Sequence, residues 1–183
     1  IALFVGSEEI ISGLFGYGSF GVEAVLNSAN ALYYFGLGLP AFALIKVFST
    51  FFFANNDTKT PFYISLISVI LNICISLYYF KDIGFIIIPI ATTISSWFNS
   101  ITLFIFLKNK KLFSFNYIFW KKFSKIVFAS IIMGIFFHYL ITFFENQLSH
   151  DYQLKSLYLI FSVFLGLVFY LLLSFLIKAF NYK

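Results

Sequence analysis

Phe62–Phe80 reads FYISLISVILNICISLYYF, a stretch without one charged side chain. It is long enough for the hydrocarbon of a bilayer, which takes about 20 apolar residues in α-helical form. Ile64, Leu66, Ile67, Val69, Ile70 and Leu71 follow one another without the strict apolar–polar alternation of a barrel strand. Ser156–Lys178, SLYLIFSVFLGLVFYLLLSFLIK, repeats the pattern. Both are read as transmembrane helices, and the whole composition agrees. Of 183 residues, 61% are apolar, 23% are aromatic and only 10% are charged, with a mean hydropathy of +0.96. A soluble globule carries roughly 25% charge. The expected fold class is therefore all-α, a polytopic transmembrane helical bundle, and the length allows at most about seven or eight crossings.

Outward from Phe62–Phe80, the polar run Asn55–Pro61 precedes it as a loop, and Pro61 suits the first position of a helix, where a missing N–H costs nothing. Ala29–Ala54 is a span with Gly36, Gly38 and Pro40 expected to kink it. Lys81–Gly84 makes a tight connection into Phe85–Leu107, and Ile126–Phe144 and Ser156–Lys178 close the series around a loop at Glu145–Lys155. Lys108–Lys125 mixes six lysines with Phe113, Phe115, Tyr117, Phe119 and Trp120. That combination fits headgroup depth and anionic phospholipids. At the front, Ile1–Gly6 reads as the tail of a span. Ser7 reads as the N-cap of a short surface helix, Glu8–Phe15, and Gly16-Tyr17-Gly18 as a turn. A selectivity filter needs a Thr-Val before such a Gly-Tyr-Gly; here Leu14-Phe15 stands there. The start at Ile1, in an apolar run with no basic flank, is not the layout of a signal peptide and is read as the later part of a longer protein.

Lysines counted on alternate sides set the orientation. One side holds Lys59, Lys108, Lys110, Lys111, Lys121, Lys122, Lys125, Lys178 and Lys183, the other Lys81 and Lys155. The first side is read as cytoplasmic, with the C-terminus on it. The chain is divided by membrane role into 1–111, a bundle segment with a surface helix and three complete spans, 112–125, an interfacial linker, and 126–183, two last helices.

Enzyme chemistry finds little footing. His138 and His150 sit at no metal-ligand spacing, Cys74 is single, and neither a nucleophile elbow nor a phosphate loop occurs. His138 is read as a helix-packing or interfacial residue. No nucleic-acid partner is expected. Lys46 is the sharpest feature, because it lies roughly 13 Å from the nearer end of its span, too deep for easy snorkelling. It should face a water-filled cavity, an acidic partner or an anionic substrate. Asn72 and Ser76, one turn apart, share a helix face, and Thr92 and Thr93 stand on the next span. Their oxygens form a weaker candidate cation site, set against ordinary hydrogen bonding between membrane helices.

Three motifs carry a family resemblance: Leu14–Phe20 (LFGYGSF), Gly36–Val47 (GLGLPAFALIKV) and Asn56–Pro61 (NDTKTP). In that order and spacing they resemble the MurJ/MviN lipid II flippases, whose third motif is Gln-Asp-Thr-Lys/Arg-Thr-Pro. The resemblance continues more loosely from Gly84 to Lys111. It implies a two-lobed, alternating-access exporter of about fourteen helices, of which this chain would be the C-terminal third. The substrate implied is an undecaprenyl-pyrophosphate-linked peptidoglycan precursor, moved across the bacterial inner membrane. Lys46 matches a lysine of the family, implying a role with substrate or in gating. Asn72, Ser76 and Thr92 fall where some members hold sodium, although Ser76 stands in place of an acidic residue. The last two helices resemble a pair that forms a groove for the polyprenyl tail, and the arginine-rich anion cavity lies in the front portion. Another exporter of the superfamily and a non-transporting membrane scaffold stay open beside this reading.

Overall fold

The computed structural model describes residues 1–112, 117–149 and 152–179; His150, Asp151 and Lys183 lie outside them. Among the described residues every regular element is helical. The order is α1 (Ala2–Val5), α2 (Ser7–Phe15), α3 (Val22–Ala54), α4 (Lys59–Ile83), a 3-10 turn at Gly84–Ile86, α5 (Ile87–Asn109), α6 (Tyr117–Phe143), α7 (Glu145–Leu148) and α8 (Lys155–Leu176).

Four stretches are long and apolar enough to cross a membrane: Val22–Ala54, Lys59–Asn109, Phe119–Phe143 and Lys155–Leu176. The second has 51 residues, roughly twice the helical length a bilayer needs. It holds two helices, because α4 and α5 fold back on each other at Gly84, whose φ of 73° a side chain would resist. What is buried is unusual for a soluble protein. Ala41, Ala91, Ala129, Ser100, Ser162 and Ser174 are inside, while Leu176 is 77% exposed and dozens of Phe, Ile and Leu side chains face outward. Small residues let membrane helices approach closely, and the lipid takes the large ones. The fold is a helical transmembrane bundle.

The chain forms two compact units. Residues 31–114 make one, and residues 1–30 with 115–183 make the other. In the first, α4 and α5 run antiparallel, and Phe48, Phe52, Ile64, Leu103 and Leu107 form its apolar core. In the second, α6 and α8 run antiparallel, with Phe136 stacked on Phe169 at 4.3 Å. Phe137, Ile141, Leu148 and Leu159 make its core.

Several boundaries differ from those expected. Gly6, not Ser7, caps α2: the Gly6 N–H closes α1 onto the Ala2 carbonyl, and the Gly6 carbonyl accepts from Ile10. Helix α3 begins at Val22, well before Ala29, and passes through Pro40 without ending. Pro40 removes the bond to the Gly36 carbonyl, and Gly36 presents no side chain to the ring. Helix α4 begins at Lys59, so Pro61 is third, not first. Its missing N–H is still one of the orphans of a helix start. The Thr60 N–H and hydroxyl both donate to Asp57, at 3.0 and 2.7 Å, and Lys110 Nζ adds an ion pair at 2.5 Å. Helix α6 begins at Tyr117, so residues 117–125 of the basic aromatic stretch are already helical. There Phe119 stacks on Phe123 at 5.9 Å, beside Lys121, Lys122 and Lys125.

Candidate functional site

Lys46 lies on α3 with its side chain exposed. Among the described residues it has no hydrogen bond or ion pair. The helix geometry explains this. Ala41, Phe48 and Phe52 share the buried face of α3, and at 100° per residue Lys46 points to the opposite side. The acidic partner envisaged for it is not found among the described residues, and its ammonium leaves the fold outward.

Asn72, Thr92 and Ser95 meet where α4 faces α5. The Asn72 amide nitrogen donates to Thr92 Oγ1 at 3.0 Å and to Ser95 Oγ at 3.3 Å. Thr92 Oγ1 in turn donates to the Ile88 carbonyl at 2.8 Å. One turn further along, Asn99 donates to Ser65 at 3.4 Å. These groups border a cleft of about 390 Å³ with Phe42 and Val69 on its walls. Ser76 is near the seam but its buried Oγ has no partner. As arranged, the amide presents donors rather than oxygens to Thr92 and Ser95. That donor set suits helix-to-helix hydrogen bonding and does not fit a cation.

Helix α5 also grips α3. Thr93 Oγ1 donates to the Tyr34 carbonyl at 2.7 Å, and Trp97 Nε1 donates to the Leu37 carbonyl at 3.0 Å. Gly38 makes the approach, since a Cβ there would lie 2.9 Å from Thr93 Oγ1.

A residue that sequence reasoning had assigned to a loop proves to be buried. Lys155 is 0% exposed, its Nζ donates to the Gly16 carbonyl at 2.5 Å, and the same ammonium lies 4.5 Å from the Tyr17 ring centroid. Tyr17 and Ser156 hydroxyls meet at 2.5 Å. The Gly-Tyr-Gly turn and the first residues of α8 thus form one clasp. The available signal was a lysine starting a span opposite a glycine turn, which sequence separation hides.

With this geometry in place, comparison with known proteins is decisive. The sequence model of the family described as "Lipid II flippase MurJ" matches residues 1–161. The chain belongs to the MurJ family. Among its MurJ relatives, each described as "Probable lipid II flippase MurJ", the Rickettsia prowazekii protein is 31% identical over 98% of this chain and 36% of its own length. The Thermotoga maritima protein is 34% identical over 97% of the chain and 34% of its own length. The Rhizobium meliloti protein is 41% identical over 56% of the chain and 19% of its own length. The chain thus spans about a third, or less, of the MurJ relatives it matches. All three motifs quoted from the sequence lie within the matched residues. Neither another exporter class nor a scaffold is favoured by these MurJ matches.

Proposed function

We propose that this chain is the C-terminal part of a lipid II flippase, one wall of a two-lobed carrier of the bacterial inner membrane. The observation that carries the reading is the match to MurJ relatives along nearly the whole chain. The substrate is then a polyprenyl-pyrophosphate-linked peptidoglycan precursor. Moving its charged headgroup through about 30 Å of hydrocarbon is prohibitive without a polar path, and two lobes rocking about such a path let the tail stay in lipid. The protein is a transporter rather than a catalyst.

In this reading residues 1–111 belong to the C-terminal lobe, 112–125 lie at the interface and 126–183 supply two peripheral helices. The C-terminus is cytoplasmic, and Lys108–Lys125 meets anionic phospholipids. Two structural facts support the orientation. Lys125 Nζ donates to the Ile177 carbonyl at 2.8 Å, so the lysines at the start of α6 and Lys178 share one end. Lys155 is withdrawn into the fold and does not count as a loop charge, which leaves Lys81 alone on the opposite side.

Lys46 would use its outward ammonium to hold the anionic headgroup or to stabilise one gate, facing the portion of the carrier that precedes this chain. Sodium coupling at Asn72, Ser76 and Thr92 would require the Asn72 amide to turn its oxygen inward, and no transport step is derived through it. Lys46→Met in the intact protein, assayed for precursor flipping in proteoliposomes, tests the role of Lys46. A large loss of rate is expected, and undiminished transport would remove Lys46 from the mechanism. Absence of flipping by the unmutated intact protein would overturn the reading itself.

A further inference from the structure

The compact unit of residues 31–114 holds the cleft of about 390 Å³ among α3, α4 and α5. Ser, Thr and Asn side chains supply most of its lining, and no charged residue lines it. It lies deep. Asn72 and Asn99 each stand ten residues or more from both ends of their helices, about 15 Å at 1.5 Å per residue, which is the middle of a bilayer's hydrocarbon. Several hydroxyls are spent on their own helices, Ser68 donating to the Ile64 carbonyl and Ser95 and Ser96 to the Thr92 carbonyl. Asn99 is different. It is only 7% exposed, it donates weakly to Ser65 at 3.4 Å, and its Oδ1 is buried without a partner. Turning the amide over would let the Ser65 hydroxyl donate to Oδ1 and would orphan the nitrogen instead. Either way one polar atom of Asn99 goes unmatched, which costs free energy, at a depth where neither water nor hydrocarbon can match it.

We propose, on the reading of this chain as part of a longer carrier, that the cleft seats a transmembrane helix from the portion outside this chain. That helix brings a hydrogen-bonding side chain to Asn99. The chain spans about a third of the length of its relatives, so most of such a protein lies elsewhere and has further spans to supply. Other occupants fit the lining less well. Lipid tails carry neither donor nor acceptor, and headgroups stay at the surface. An anionic ligand finds no lysine in the cleft, and a cationic one finds no carboxylate. A helix meets each feature. Ser65, Ser68, Ser95 and Ser96 leave room for another backbone to come close, as small residues do between membrane helices. Phe42 and Val69, both exposed, line the same cleft and offer apolar surface to the incoming side chains.

The test places the photoreactive residue benzoylphenylalanine at Val69 of the intact protein in native membranes, with Ile67 as the control position. The two residues are equally exposed, at 54%, but point about 160° apart around α4. Irradiation at Val69 should link α4 to a segment of the same polypeptide outside this chain, with a yield about tenfold above that at Ile67, and peptide mass spectrometry then locates the polar residue facing Asn99. Linkage of Val69 to lipid alone or to a second copy, or equal yields from the two positions, would overturn the proposal. Asn99→Ala and alanine at the residue located opposite should together lower Tm by less than the sum of their separate losses. Additive losses would overturn the hydrogen bond to Asn99. Absence of flipping with the Val69 link present would count against the transport reading and not against this surface. Flipping intact with Val69 linked only to lipid would count against this surface alone.

Discussion

The Lys155 ammonium closes on the Gly16 carbonyl across 139 residues of sequence, at 2.5 Å and fully buried. Gly16 ends α2, where carbonyls lack helical partners and carry the negative end of the helix dipole, so a cation is well placed there. A Cβ at position 16 would lie 2.6 Å from the Ser12 carbonyl oxygen and 3.2 Å from Lys155 Nζ. Gly16→Ala should therefore lower the yield of folded protein sharply. Lys155→Met keeps the packing volume, and replacing a buried charge with an apolar side chain is often close to neutral for global stability. Its effect should be local: hydrogen exchange at the end of α2 should speed up at least tenfold while Tm changes by a few degrees. Unchanged exchange would show that α2 is held by its apolar contacts alone.

At the α3–α5 crossing, Gly38→Ala should cost about 1–3 kcal/mol, the usual range for overpacking. The added methyl must displace Thr93 Oγ1 and with it the bond to the Tyr34 carbonyl. Thr93→Ala in the Gly38→Ala background removes the colliding hydroxyl, so the double variant should lose less than the sum of the single changes. Additive losses in a thermal or denaturant titration would place the cost elsewhere.

Asn72→Ala should destabilise the α4–α5 hairpin by about 0.5–2 kcal/mol, as interhelical hydrogen bonds in membranes do. Thr92→Ala should add little once Asn72 is gone, because the two share a bond. If sodium raises Tm in the unmodified protein and not in Asn72→Ala, the amide turns to bind it; no sodium effect in either is expected from the arrangement described.

The spans were legible because a charge-free apolar run of bilayer length has few other solutions, and the α4–α5 polar seam was legible because Asn72 and Ser76 recur at helical spacing beside a short connection. Helix ends were less so. Spans expected to begin at Ala29, Phe62 and Ile126 belong to helices that begin at Val22, Lys59 and Tyr117, because a helix carries charged residues such as Glu23, Lys59 and Lys121 easily past the hydrocarbon. The clasp at Lys155 was not legible, since its acceptor is a backbone carbonyl, which no residue type announces. The groove lined by Glu8, Glu9, His138 and Glu145 escaped for a related reason: its other side comes from α6 and α7, far along the chain.

The Asp57–Lys110 pair should hold the α3–α4 loop constant over the physiological pH range. The hydrogen bond from Lys110, helped by those from Thr60, pushes the Asp57 pKa far below its ordinary 3.8. A depressed carboxyl pKa contributes stability that is present above the unfolded value and is lost as pH falls through the folded one. The loop should therefore keep its protection in hydrogen exchange down to about pH 4 and loosen only in stronger acid. Lys110→Ala should shift that loosening to higher pH, and an unchanged profile would show that Thr60 alone holds Asp57. The pair is partly exposed, at 44% for Lys110 and 21% for Asp57, so its worth at neutral pH is small.

Glu9 should behave in the opposite sense. Its pKa is raised above the ordinary 4.5, first by burial and then by Glu8, with its backbone hydrogen bond and His138 pulling the other way. Here the folded protein holds the proton more tightly than the unfolded chain. Stability is therefore greatest below 4.5 and falls as pH rises through the folded value, after which the full penalty of a buried charge persists. Glu9→Gln removes that penalty. Its Tm should match that of the unmodified protein in acid and exceed it at pH 7, with the two curves separating on the alkaline side of 4.5. Parallel curves across that range would mean that the carboxylate is as well solvated in the fold as in the unfolded chain.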